Sequence, residues 1–356
     1  MSPLHVRHVN YARGWRGGEH QTLLLMRALR EAGISNSLIA RAGEPLAQRA
    51  AGEGFPVLES SAAGWATLRA TGVDLFHAHE TRALQAAALT QPLHRVPLLV
   101  TRRVDYTPGG NPFTRWKYRR AARIVSVSHF VDRVMADWGA PEPQRAVIHD
   151  AAAEPVCGRD DERVAQIRGR FPGRTIIGCV AALVLHHKGQ DVLIDAFHRA
   201  RQQRGDIALI LVGGGPDRDA IAAQIDRLGL KSDVALVGFQ ADPMPYFAAF
   251  DLFALSSREE GLGSVLLDAF AHRLPVLATD AGGIPELIEH EVTGWLSPRE
   301  DAAHLAQGLR RLLDDTAFAG DCAKRAHERY RADHTPEIMA ARYLALYRAV
   351  TGGGGR

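Results

Sequence analysis

Short apolar runs alternate with helical patterns along almost the whole chain, which is the signature of parallel sheets covered by helices. The pattern opens with a strand over Leu4 to Val9, a loop at Gly17-Gly18, and a helix from about Gln21 to Glu31. In that helix Leu24 and Ala28, and Leu25 and Leu29, recur at i, i+4 spacing. Further strands are predicted at Ser37 to Ala40, Leu75 to Ala78, Leu98 to Thr101, Ile124 to Val127 and Ala146 to Ile148. After Asp150 the periodicity gives way to AAAEPVCGRDD, ending at Asp161, which reads as a domain boundary. The alternation then restarts with strand Thr175 to Val180, helix Asp191 to Gln202, strand Ala208 to Val212 and helix Asp219 to Leu228. It continues with strand Val234 to Val237, a short helix near Tyr246, strand Leu252 to Leu255, a helix from about Val265 to His272 and strand Val276 to Ala278.

The expected fold is α/β with two Rossmann-like domains, 1–152 and 153–356. The site is expected in a cleft where the carboxyl ends of the two sheets face each other. Helical sequence after Pro336, carrying Met339, Tyr343 and Leu346, is placed to return and brace the first domain, and the tail GGGGR is expected to fray.

Composition narrows the partners. A chain of 356 residues, 46% hydrophobic and 23% charged, excludes a disordered or fibrous protein, and a net charge of +3 is too balanced to indicate nucleic acid. The 43 basic residues include only four lysines, a bias of codon usage before chemistry. Cys157, Cys179 and Cys322 are odd in number and far apart, so neither a disulfide framework nor a zinc cluster is implied and a reducing compartment fits. The amino terminus lacks the pattern of a signal peptide, and no run reaches the roughly 18 apolar residues of a membrane span, so a soluble cytoplasmic protein is expected.

The most informative segment runs from Ser256 to Pro298. A strand ends, glycines admit close backbone approach, and the helix that follows points free N–H groups at whatever lies beyond the sheet edge, an arrangement that binds phosphate. Glu260 precedes the helix and Asp268 lies within it. Their spacing suits opposite ends of an extended ligand, yet on spacing alone the pair reads sooner as an acid before a helix and a solvated helical acid.

The pattern Glu260-Gly261-Leu262-Gly263 with Asp268 resembles the motif of the family-4 retaining glycosyltransferases of GT-B fold. The resemblance extends through Pro275-Val276, Gly282-Gly283, Glu286, Thr293-Gly294, His187-Lys188-Gly189, Gly213 to Pro216, Val237-Gly238-Phe239 and Asp251. In the first half it covers Gly17-Gly18, Asp74 through Glu80 and Ser126 to His129. It implies transfer of a sugar, with retention, from a nucleoside diphosphate sugar to a glycan or lipid-linked acceptor in bacterial surface polysaccharide or lipopolysaccharide synthesis. The donor is expected to be UDP-linked before GDP-linked, with no separate cofactor and no metal.

Under that resemblance Glu260, Lys188 and Arg103 are the catalytic candidates. Gly17, Gly18, Gly213, Phe239, Gly263, Ser264, Val265 and Asp268 line the donor, and Glu80, Arg119 and Arg120 face the acceptor. Three positions depart from the family pattern: Ala182 stands where an arginine is usual, Asp268 replaces a glutamate, and Arg103 replaces a histidine. These departures keep open a noncatalytic nucleotide-sugar-binding subunit, and the fold alone also admits an epimerase or a phosphorylase.

Two other patterns invite chemistry. Asp217-Arg218-Asp219 resembles a metal-binding DxD, although acids in the first turn of a helix are the commoner explanation. His77-Ala78-His79-Glu80 places alternate residues on one strand face, but no further ligands are evident in the sequence. From Arg102 to Arg123 seven basic residues interleave with Phe113, Trp116 and Tyr118. This reads equally as a solvated helix face or as a dock for an anionic membrane or lipid-linked glycan, with Trp116 at the membrane surface.

Overall fold

The computed structural model describes residues 4–60 and 65–352, so residues 353–356 of the glycine tail lie outside the described residues. The chain divides into two compact units, Met1–Ala151 with His334–Arg356, and Ala152–Asp333.

Among the described residues, the first unit holds β1 (His5–Asn10), β2 (Ser35–Arg41), β3 (Val57–Ser60), β4 (Leu75–Ala78), β5 (Leu98–Arg102), β6 (Arg123–Ser126) and β7 (Arg145–Val147). They form one sheet in the order β3-β2-β1-β4-β5-β6-β7, and every pairing is parallel. The helices are α1 (Gly17–Glu31), α2 (Pro45–Gly52), α3 (Thr81–His94), α4 (Pro112–Arg119) and α5 (His129–Asp137). Strands β4 and β5 are buried along their full length, which explains their unbroken apolar runs.

The strand order reverses between β1 and β4, so loops leaving their carboxyl ends diverge and open a crevice there. Gly17 and Gly18 form the first turn of α1 and not the expected loop. Glu19 makes this start possible, since its carboxylate accepts from the Arg16 N–H at 2.9 Å and satisfies a donor at the helix entrance. Helix α2 and strand β3 had no clear period in the sequence.

The second unit begins with α6 (Glu162–Arg168) and β8 (Thr175–Val180), followed by α7 (Leu185–Lys188), α8 (Gln190–Arg201), β9 (Ile207–Val212), α9 (Arg218–Arg227) and β10 (Val234–Gly238). It continues with α10 (Met244–Ala249), β11 (Leu252–Leu255), α11 (Val265–Ala271), β12 (Val276–Thr279), β13 (Trp295–Ser297), α12 (Ala302–Asp314) and α13 (Thr316–Asp333). Its parallel sheet has the order β10-β9-β8-β11-β12-β13, reversing between β8 and β11. The core packs Leu193, Phe197, Leu209, Leu252 and Leu309, all essentially inaccessible.

The last helix, α14 (Pro336–Gly352), belongs to the first unit. Met339, Ala340, Tyr343 and Tyr347 pack with Leu25, Leu29, Leu75, Leu99 and Val125 of α1, β4, β5 and β6. Both tyrosines keep their hydroxyls satisfied inside this apolar contact. Tyr347 bonds His77 at 2.7 Å and Tyr343 bonds Thr101 at 2.8 Å.

Candidate active site

In the second unit, the loops leaving β8 and β11 border the reversal point. The first ends in α7, whose last residue is Lys188, and Gly189 follows in the left-handed conformation at φ +57°. A Cβ on Gly189 would lie 2.3 Å from the Ser256 carbonyl oxygen, so the two loops touch backbone to backbone. Hydrogen bonds lace them together: Arg258 N–H donates to the His187 carbonyl at 2.8 Å, and Ser256 Oγ donates to the Lys188 carbonyl at 3.1 Å.

This lacing brings Lys188 Nζ onto Glu260 Oε1 as an ion pair, and Ser257 Oγ donates to the same oxygen at 2.9 Å. The two leading catalytic candidates, 72 residues apart in the chain, therefore meet at the crevice of the sheet. Ser257, absent from the sequence reading, holds the carboxylate from the other side. Gly282 fixes the same loop from below, since a Cβ there would lie 1.8 Å from the Glu260 carbonyl oxygen.

The neighbouring loops show which residues have other employment. Gly213 N–H donates to the Gly238 carbonyl at 2.9 Å, and a Cβ on Gly213 would lie 1.9 Å from the Ala181 carbonyl oxygen, so this glycine serves loop packing first. Asp217 Oδ2 accepts from Leu185 N–H at 2.7 Å, tying the β9 loop to the β8 loop, while Asp219 is fully exposed. Phe239, 56% exposed, lies beside Gly214 just past the carboxyl end of β10. Gly263 adopts φ +82° against Ile284, and Ser264 and Val265 lead into α11. Asp268 is half-buried within α11, and burial pushes its carboxyl up to about 7.

At Ala182 the carbonyl accepts from Gln190 Nε2 at 2.8 Å. Nearby basic side chains are engaged elsewhere: Arg258 is held by Asp191 and Glu300, and His187 Nδ1 lies 2.6 Å from Glu259.

In the first unit, Arg103 follows β5. Its Nε reaches Asp150 at 3.2 Å, Nη1 lies 3.5 Å from His79 Nδ1, and Nη2 is buried without a partner among the described residues. A Cβ on Gly18 would sit 4.0 Å from Arg103 Cδ, so the guanidinium stem lies along the first turn of α1. Behind it, His8 on β1 pairs in register with His77 of β4, and His8 Nδ1 contacts Nε2 of His79, just past that strand, at 2.8 Å. A guanidinium only donates, so His79 accepts at Nδ1, carries its proton on Nε2 and gives that hydrogen bond to His8 Nδ1. His8 is then protonated on Nε2, which is buried without a partner.

Burial, and secondarily the neighbouring rings and Arg103, hold His77 and His79 well below the ordinary histidine value. Burial and His5 push His8 down to about 3. One ring nitrogen from each of the three lies within 4.8 Å of the other two, so His8 supplies a third nitrogen that the sequence motif lacked. Five of the six nitrogens already have hydrogen-bond partners and the Arg103 guanidinium adjoins the cluster, an environment that opposes a dication.

Glu80 caps α3. Its carboxylate accepts from Ala83 N–H at 2.6 Å and Tyr11 N–H at 3.2 Å, a structural duty for the residue expected to face the acceptor. The basic segment is also thinner than its composition suggests. Arg102 and Lys117 are buried, with Arg102 bonded to the Tyr118 hydroxyl at 3.0 Å. Trp116 packs on the core and stacks with Phe113, so Phe113 and not Trp116 is the exposed aromatic. Arg119 is exposed, and Arg120 is half-buried with its guanidinium over Trp116.

Residues 15–151 match the family described as Glycosyltransferase Family 4, and residues 174–315 match that described as Glycosyl transferases group 1. The chain belongs to the family-4 glycosyltransferases. Among relatives of this family-4 chain is the N-acetyl-alpha-D-glucosaminyl L-malate synthase of Bacillus anthracis, 33% identical over 67% of this chain and 63% of that protein. The lipopolysaccharide core biosynthesis mannosyltransferase LpcC of Rhizobium leguminosarum is 25% identical over 78% of this chain and 79% of that protein. The chain spans less than two thirds of the length of the Bacillus relative and about half that of a Mycobacterium tuberculosis mannosyltransferase, at 49%. The crystal structure of Anabaena HepE in complex with UDP and glucose superposes with a TM-score of 0.85, covering 96% of this chain and 98% of that one at 22% identity. The family-4 chain therefore has the GT-B fold, with two Rossmann-like parallel sheets. No helix among its described residues is long and apolar enough to cross a membrane.

Proposed function

We propose that this chain transfers a hexosyl or heptosyl group, with retention, from a UDP-sugar to a glycan or lipid-linked acceptor in bacterial surface-polysaccharide or lipopolysaccharide synthesis. The observation that carries the reading is the Lys188–Glu260 pair at the strand reversal of the second sheet. A diphosphate placed there draws Lys188 into a charge-assisted contact, and the start of α11 offers N–H groups at Gly263, Ser264 and Val265. Freed from Lys188, the Glu260 carboxylate stays oriented by Ser257 and accepts from sugar hydroxyls. Phe239 offers a face for the base and Asp268 accepts from ribose hydroxyls.

In the transfer step the bond from the anomeric carbon to the leaving phosphate oxygen breaks. An acceptor oxygen bonds on the same face and its proton passes to the leaving phosphate. Lys188 stabilises the charge growing on that phosphate. In this reading Arg103, fixed by Asp150 and His79, directs its free Nη2 beside Gly17 and Gly18 toward an anionic group of the donor or acceptor. Lysine and backbone N–H groups take the place of a divalent ion, so transfer is expected to survive a chelator; loss with EDTA and rescue by manganese would reject this assignment.

Lys188→Ala is expected to lower kcat/KM by the worth of a charge-assisted bond, roughly 1.5 to 3 kcal/mol. Wild-type donor affinity and kinetics in that variant would overturn the site. Product analysis by NMR reads the anomeric outcome, and donor binding without turnover across an acceptor panel would favour a noncatalytic subunit instead.

The same reading places an anionic surface against the first unit, met by exposed Arg119 and Phe113 with Arg120 beside them. Attraction of this kind is screened beyond roughly 8 Å at physiological salt. Vesicles containing anionic lipid should bind less tightly as salt rises and bind the Arg119→Glu, Arg120→Glu double variant poorly. Equal binding by wild type and variant at low salt would leave the acceptor neutral and soluble.

A further inference from the structure

A cavity of about 890 Å³ opens at the amino edge of the second unit's sheet, bordered by the starts of β8 and β11, by Pro275 before β12, and by α12 and α13. Lys188 and Glu260 lie past the opposite, carboxyl ends of β8 and β11, so a strand length of roughly 20 Å separates the two places.

Two residues on the cavity wall are poor choices for their local backbone. Arg273 follows α11 at φ +55°, a left-handed position at which glycine is the unstrained residue. Gly320 sits inside helix α13, where alanine would be more stable, and a Cβ there would meet nothing within 4 Å. Packing therefore does not call for that glycine. Both exceptions make sense together: one places a guanidinium on the cavity, the other leaves its wall open.

The charges point to the occupant. Arg168 and Arg204 also line the cavity, but Asp251 holds the first at 3.2 Å, and Asp206 and Asp314 hold the second at 2.9 Å. The Arg174 guanidinium is likewise paired, with Asp233. Arg273 and Lys324 have no ion pair or side-chain hydrogen bond among the described residues, and Glu328 is the one acid on the wall besides Asp251. Beside these two exposed cations the wall carries Thr175, Thr316 and His327, and Leu252, Leu312 and Ala319 form its apolar part.

We propose that this cavity is a second ligand site that binds an organic phosphate, its phosphate held between Arg273 and Lys324 and its apolar part on Leu252, Leu312 and Ala319. The volume is within the range of small-molecule sites. The site is independent of the sugar-donor reading, because none of its residues takes part in that reading.

Titration of the full chain with phenyl phosphate, by calorimetry and amide NMR at constant ionic strength, tests it. Saturable binding is expected, tighter than for inorganic phosphate, with the shifted amides at 273 and 316–328. Arg273→Gly and Lys324→Ala should each weaken it about tenfold, the loss of one charge-assisted contact. Gly320→Leu should weaken it by putting a side chain into the cavity from its wall. Arg273→Gly and Gly320→Leu relieve a backbone or helix penalty, so neither should lower the melting temperature, and Lys188→Ala should leave binding unchanged. Wild-type affinity in both Arg273→Gly and Gly320→Leu, failure to saturate, or loss of binding in Lys188→Ala would each overturn the proposal.

Discussion

Asp268 and His8 titrate inside the fold in opposite senses, and each makes a pH prediction. The Asp268 carboxyl rises from its ordinary 3.8 to about 7, so between these values the folded chain keeps a proton that the unfolded chain has released. Stability attributable to Asp268 therefore falls as pH rises across that window, by at most about 1.4 kcal/mol per pH unit and less given the solvent contact the side chain retains. Asp268→Asn should flatten this limb and raise the neutral-pH melting temperature relative to wild type. His8, pushed from 6.5 to about 3, does the reverse: the unfolded chain takes up the proton first, and stability is lost as pH falls from 6.5 toward 3. His8→Gln keeps a hydrogen-bond acceptor for His79 without a titrating ring, so its acid limb should be shallower. Melting curves at roughly pH 4.5, 6 and 8, two points inside both windows and one above them, check both variants.

At the scale of elements, the site depends on loops that only glycine lets approach. Gly282→Ala places a methyl where the Glu260 carbonyl stands, and the Glu260 loop has to move. The transfer proposed for this chain should fall by at least tenfold, more than stability accounts for, because a displacement of about 1 Å in a catalytic constellation costs about that much or more. Gly178→Ala in β8 instead drives a methyl into the Phe250 ring, 2.1 Å away, and should destabilise the fold by roughly 1 to 3 kcal/mol. Equal loss of activity and stability in Gly282→Ala would deny the loop its special place.

The sequence made β4, β8 and β11 plain, because a strand buried on both faces is a short apolar run between polar turns. It also singled out Lys188, Glu260 and Asp268 as candidates through their motifs. It could not show that Lys188 and Glu260 touch, since that depends on the strand reversal between β8 and β11. His8 was equally hidden: a lone histidine in an apolar strand carries no period, and only the parallel register of β1 with β4 sets it opposite His77. Arg102 and Lys117 misled in the other direction, because composition counts a charge without saying which way its side chain turns.

At the scale of the whole molecule, the two titrations fall in different units, Asp268 in the second and His8 in the first. Calorimetry from pH 4.5 to 6, roughly the range in which both windows overlap, should show transitions moving in opposite directions, the first unit gaining stability and the second losing it. A single transition moving one way would mean that the units melt as one body. Helix α14 carries a different consequence, one of timing. Tyr347 and the His77 it bonds are 270 residues apart, with the whole second unit made between them. On the ribosome the first unit is begun first yet finished last: until α14 emerges, His77 and Thr101 lack their tyrosine partners and Leu25, Leu75 and Val125 lack a cover. Residues 152–333, synthesised later, are complete sooner. Nascent chains halted after residue 151 should be digested rapidly by protease and held by chaperones, whereas residues 152–333 produced alone should resist. The half-finished first unit is thus the exposed passenger during synthesis, and the interval before α14 appears is when this protein is most vulnerable to aggregation.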